Sequence, residues 1–202
     1  MVTSFRRLSN RRVRSNSKGF TLIEVMIAAV ILVVGLLALM ALFAKALGAV
    51  QFSEESQIAR QKARETLESV YAARNDESIT FDQIQNAANG GIFTDGFQTM
   101  YLPGSNGIPG TNKDTNILDR VILPGKNGIV ETAPGAATAA GDDVLLSLSN
   151  YQRQILISPI VDAGGTVNLY MRKVTVTIRV NSGSIYTHDY ATTGYISTSQ
   201  QQ

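Results

Sequence analysis

The sequence has no cysteine, so no disulfide can staple the fold, and thiolate zinc sites and thiol catalysis are excluded. It has one histidine, His188. A Ser-His-Asp or Cys-His constellation would have to use that ring, and nothing nearby marks a nucleophile. Glycine-rich stretches occur, but none sits between a strand and a helix as a phosphate loop requires. Asp114, Asn116 and Asp119 carry oxygen ligands at close spacing, and Asp142 and Asp143 add two more. The spacing does not match an EF-hand, so they read as solvated loop acids. No catalytic residue, metal or cofactor is therefore expected. No proline precedes Pro103, so no pyrrolidine ring breaks a helix in the first half of the chain.

Acidic residues are also missing from one place. Residues 1–19 hold Arg6, Arg7, Arg11, Arg12, Arg14 and Lys18 and no acid, a charge of +6, whereas the formal net charge of the whole chain is +2. The basic balance belongs to the N-terminal segment, and the remainder is net acidic, which argues against nucleic-acid binding by the folded body. With 202 residues there is room for one domain and an additional segment.

That segment follows the basic run. Val25 to Ala44 contains no charge and no hydrogen-bonding side chain, and between Phe20 and Ala44 only Thr21 and Glu24 are polar. As a helix, Phe20 to Ala44 would span roughly 37 Å, enough to cross a hydrocarbon core of about 30 Å with some tilt. Positive charge on the N-terminal flank keeps that end cytoplasmic, and the rest of the chain would be exported. A secretory signal peptide cut near Ala44-Lys45-Ala46 is one reading, but the apolar run exceeds the usual length of about 7 to 15 residues. An uncleaved signal anchor is the other conventional reading, and hydropathy alone leaves it open.

Lys18-Gly19-Phe20-Thr21-Leu22-Ile23-Glu24-Val25-Met26 resembles the class III signal sequence of prepilins from type IV pili and type II secretion systems. The resemblance covers about 35 residues: basic leader, Gly, Phe, small polar residue, two aliphatics, Glu, then an apolar run in register. It implies cleavage after Gly19 by a prepilin peptidase on the cytoplasmic side and N-methylation of Phe20. It also implies that Glu24 pairs with the N-terminal amine of a neighbouring subunit. The physics agrees position by position. Gly19 lets a protease approach the backbone closely, although a flexible linker would read the same way. A carboxylate in an apolar helix is costly and marks function by default, against the plainer alternative of a glutamate snorkelling to the headgroups. The stretch Val30 to Leu39 looks most like PilV-type minor pilins.

The resemblance implies an α+β pilin-like fold: a long N-terminal helix, its first half membrane-spanning and its second amphipathic, packed on a C-terminal antiparallel sheet. The residues give the same outline. Ala59, Ala63, Leu67 and Val70 fall on one helical face with Thr66 and Tyr71 beside them. The pairs Arg64–Glu68 and Lys62–Glu65 are expected on the wet side. One helix is expected from about Phe20 to about Arg74, a rod of roughly 80 Å, with Asn75-Asp76 as its stop. Many pilins have a proline midway along the apolar half; this chain has none there, and Gly35 is the one weak point inside that half. No sustained a/d heptad supports a coiled coil. Arg153 to Ile160, Val174 to Val180 and Ile185 to Ile196 read as strands, joined by turns at Asp162 to Gly165 and Asn181 to Ser184. The expected organisation is 1–19 leader, 20–45 membrane and filament-core helix, 46–75 amphipathic half, 76–150 variable loops and 151–202 sheet. Residues 132–141 are expected as an exposed loop.

Together these readings describe a structural subunit, a minor pilin of a type IV pilus, and not an enzyme. Its partners would be the prepilin peptidase, other pilin subunits through the N-terminal helix, the inner-membrane assembly platform and the membrane itself. It would sit in the inner membrane as a single pass, N-terminus cytoplasmic and C-terminal domain periplasmic, before entering the filament. A pseudopilin of a type II secretion system fits residues 18–40 equally; the long loop region leans toward a pilus. A membrane-anchored periplasmic binding or adhesive module that never polymerises is the reading from another class.

Overall fold

The structure is a computed structural model, and it describes residues 19–134, 136, 138–182 and 186–198. Helix α1 runs Leu22–Asn75. It is continuous because no proline interrupts it and its interior is rich in Ala, Leu, Glu, Gln and Arg, all good helix formers. The chain divides into two units, Met1–Ala49 and Val50–Gln202.

In the first unit the helix residues are exposed throughout. This stretch is long and apolar enough to cross a membrane, and none of its apolar window is buried inside the molecule. Helices that are apolar all round are stable only when something other than water surrounds them.

In the second unit α1 is amphipathic. Ala59, Ala63, Thr66, Val70 and Ala73 are its buried residues, recurring at three- and four-residue steps as a helix face packed on a core requires. The face covers a four-stranded antiparallel sheet of order β1-β4-β5-β6, formed by Gln98–Thr99, Tyr151–Val161, Val167–Ser182 and Tyr186–Ser197. A separate two-stranded sheet pairs β2, Arg120–Leu123, with β3, Val144–Ser147. Val174, Val176, Ile178 and Val180 on β5 are fully buried. They alternate with half-buried Thr175, Thr177 and Arg179, because successive strand residues point to opposite faces. Small residues on α1 let the helix lie close to this sheet. Gly194 shows how close: a Cβ there would come within 2.1 Å of the Tyr71 hydroxyl and 3.1 Å of Leu67 Cδ1.

The β4–β5 connection is closed by short-range chemistry. At the β4–β5 hairpin, Asp162 Oδ1 accepts the amides of Gly164 and Thr166. Gly165 there takes a left-handed φ of 81°, a conformation that favours glycine. Of the turn expected at Asn181 to Ser184, Asn181 and Ser182 instead continue β5, and residues 183 and 184 lie outside the described residues.

The region 76–150 contains more structure than a loop. Ile84, Phe93, Met100, Ile108 and Leu148 are fully or almost fully buried and join the same core as α1 and the sheet. Asn86 closes the edge of β4 beyond β1: its side-chain amide donates to Ile155 O at 2.7 Å, and its Oδ1 accepts the amide of Ile157 at 2.8 Å. One side chain thus makes both bonds that a neighbouring strand residue would make.

Three expectations need correction here. Lys62 is not on the wet side. Its side chain is 15% exposed and lies 3.1 Å from Asp119 as well as 3.2 Å from Glu65. Asp114, Asp119 and Asp143 are not solvated loop acids: Asp119 and Asp143 are buried, and Asp114, its side chain 12% exposed, is paired with Arg153, whereas Asn116 and Asp142 are exposed. Asp143 accepts the amides of Gly125, Glu131 and Thr132, which also buries Thr132 at the start of the segment expected to be exposed. Burial of a carboxylate is tolerated when its oxygens are bonded in this way.

Candidate processing and assembly site

Gly19, Phe20 and Thr21 precede the helix without regular structure, and Leu22 is the first helical residue. Among the described residues nothing lies within 4 Å of where a Cβ on Gly19 would sit, so none of them hinders approach to the Gly19–Phe20 peptide bond. The Phe20 side chain is 81% exposed. The basic leader, Arg6 to Lys18, lies outside the described residues.

Thr21 sets where the helix begins. Its Oγ1 accepts the amide of Glu24 at 3.3 Å, and its carbonyl accepts the amides of Glu24 and Val25 at 3.1 and 3.2 Å. This is N-capping: the first amides of a helix have no partner inside it, and a threonine hydroxyl supplies one. Glu24 stands three residues after the cap, in the first turn of α1, where a carboxylate is favoured by the helix dipole. The sequence Thr21-x-x-Glu24 is the signature of such a start and could have located it without coordinates. Gly19, Phe20, Thr21 and Glu24 therefore fall within two turns of chain, with Glu24 exposed and the apolar run directly behind it.

Elsewhere the charged groups serve the fold. Arg153 is 3% exposed and pairs with Asp114 at 2.9 Å. Burial pushes its pKa down, against the opposing charges of Asp114 and Asp119. Arg179 holds Asp189 through two bonds of 2.8 Å and lies 3.7 Å from the centroid of the Phe97 ring. The Arg179 bonds hold the Asp189 carboxyl below its ordinary range. For Asp143, desolvation raises the pKa, but the bonds from Thr132, Glu131 and Gly125 outweigh it and leave the pKa lowered. His188 meets the ring of Phe52 edge-on, with centroids 4.8 Å apart, which is a packing role. Among the described residues no group of three or more His, Asp or Glu side chains could hold a metal ion.

Residues 14–40 match the model of the prokaryotic N-terminal methylation motif. Neither the curated proteins nor the solved structures gave a match to the chain. The matched segment takes in Gly19, Phe20, Thr21 and Glu24 and leads into the exposed apolar part of α1. A methylation motif joined to a long apolar helix, with an antiparallel sheet behind its second half, supports a type IV pilin-like or pseudopilin subunit.

Proposed function

We infer that this chain is a minor pilin of a type IV pilus-like filament. The observation that carries the reading is the methylation motif at residues 14–40, continuous with a helix whose apolar surface is wholly uncovered within the molecule. In this reading a prepilin peptidase cuts after Gly19 and methylates the amine of Phe20. The apolar part of α1 holds the subunit in the inner membrane, with the sheet-bearing body in the periplasm. The same helix surface then moves from lipid into a core of other subunits' helices, guided by the assembly platform. Both environments are apolar, so the transfer exposes little of it to water. Glu24 pairs with the new amine of a neighbouring subunit and sets register between them. The role is structural, as it is for the family that carries this motif.

Fractionation tests it. The processed chain should appear in filaments sheared from the cell surface, together with a larger membrane-bound pool. Finding the processed chain in the membrane and never in the sheared fraction would overturn the filament role.

A further inference from the structure

Strand β6 is an edge strand, and its outer side is only partly closed. At one end the Tyr195 amide donates to the Tyr71 hydroxyl at 3.0 Å, and Arg74 donates to Thr198 O at 3.1 Å. Tyr195 therefore turns its backbone amide away from β5. The β5–β6 register is unbroken from Met171↔Ser197 to Ser182↔Tyr186. In an antiparallel ladder the backbone alternates between facing the partner and facing away. It follows that Thr193, Ala191, Asp189 and Thr187 also present their amides and carbonyls outward. Among the described residues no group bonds to these outward positions. An open edge of this kind is a template for another extended chain.

A cleft of about 360 Å³ lies between this edge and α1, lined by Arg60, Ala63 and Arg64 on the helix and by residues 189–192 on the strand. The Arg60 guanidinium lies 5.7 Å from the centroid of the Tyr190 ring. Among the described residues neither Arg60 nor Arg64 is in an ion pair. The acids near them are mostly engaged: Asp189 with Arg179, and Glu65 with Lys62 and Gln61. Glu68 is exposed one turn further along α1. A strand laid along β6 would direct every second side chain toward α1, beside the two arginines.

We propose that the β6 edge at Thr187 to Thr193 binds an extended segment of a partner protein that carries acidic residues at alternate positions. Backbone bonds to the four outward residues supply affinity, and Arg60 and Arg64 select the charge. Tyr71 and Arg74 close the far end and fix how far the segment can run.

The test uses the full chain in detergent micelles and a short blocked peptide alternating threonine and glutamate, with a threonine–lysine peptide beside it. The glutamate peptide should slow hydrogen exchange at the amides of Thr187, Asp189, Ala191 and Thr193. Arg60→Ala combined with Arg64→Ala should weaken binding by at least about tenfold. Ala191→Pro should abolish it while leaving the sheet intact, because the lost amide faces outward, where an edge strand tolerates proline. Three results would overturn the proposal: no added protection at those amides, equal binding of the lysine peptide, or binding unchanged by the arginine replacements. Self-association of the full chain that Ala191→Pro removes, with no response to the glutamate peptide, would assign the edge to a second copy and also overturn it.

Discussion

Glu24 stands in the first turn of α1 with its side chain exposed, so within the single chain its replacement loses only the modest favourable interaction with the helix dipole. Glu24→Val makes the apolar segment more apolar, and membrane retention should if anything rise. The Gly19–Phe20 bond is untouched, so cleavage should proceed at the wild-type rate. If Glu24 has the proposed assembly role, incorporation should fail, because a neighbour's amine would be left unpaired in an apolar environment at a cost of several kcal/mol. Immunoblots of membrane and sheared fractions check this; normal incorporation of the variant would remove Glu24 from the assembly role. Asn86 behaves in the opposite way. Asn86→Ala leaves Ile155 O and Ile157 N without their partner, and two orphaned buried strand groups should cost about 3 kcal/mol by chemical denaturation. The two residues were not equally legible in the sequence. Gly19, Phe20 and Glu24 form a local pattern readable within a few positions, whereas Asn86 acts on β4 residues 69 and 71 positions away. The same distance hid Lys62, whose partner Asp119 is 57 positions on. Local pairing with Glu65 was visible; the long-range ion pair that buries it was not.

Helix α1 and strands β4 to β6 were readable because their periodicities are long and regular. The alternation at Val174, Val176, Ile178 and Val180 predicts a half-buried strand, and these four are fully buried. Val176→Asp places an unpaired charge there and should cost several kcal/mol, comparable with the roughly 5 to 15 kcal/mol that holds such a domain folded. Leu156→Asp is the matched control. It lies on β4 between buried Ile155 and Ile157 but is 48% exposed, so its melting temperature should stay near wild type. Equal losses from both variants would contradict the strand facing described here. The segment 76–150 was much less legible. Its buried residues Ile84, Phe93, Met100 and Ile108 are single apolar anchors separated by turns, so no period of 2 or 3.6 appears. β2 was visible only as the apolar run Val121-Ile122-Leu123. β1, two residues long, carried no signal at all.

At the scale of the molecule, charge and burial set how the body responds to pH. Asp143 and Asp189 both titrate below their ordinary values in the folded chain. Each therefore contributes stability that is present above the unfolded carboxylate value of about 4 and is lost as pH falls through the folded values. Tyr151 acts at the other extreme. Burial, with the charges of Glu55 and Tyr190, pushes its pKa up to about 12. Its contribution is complete below the unfolded value of about 10 and is lost as pH rises toward 12. Melting temperature measured against pH should fall below about pH 4 and again above about pH 10. Asp143→Asn should flatten the acid limb and Tyr151→Phe the alkaline limb; limbs unchanged by these variants would contradict the assignment. The largest asymmetry is between the two units: a wholly exposed apolar helix in one, a packed α+β body in the other. Such an asymmetry is expected of a subunit that is cut before its apolar segment and keeps that segment to assemble. The mass of the N-terminal peptide of the chain, isolated from cells that contain a prepilin peptidase, tests this most directly. It should begin at Phe20 and carry one added methyl group. Retention of Met1, or a start at Leu47, would contradict it.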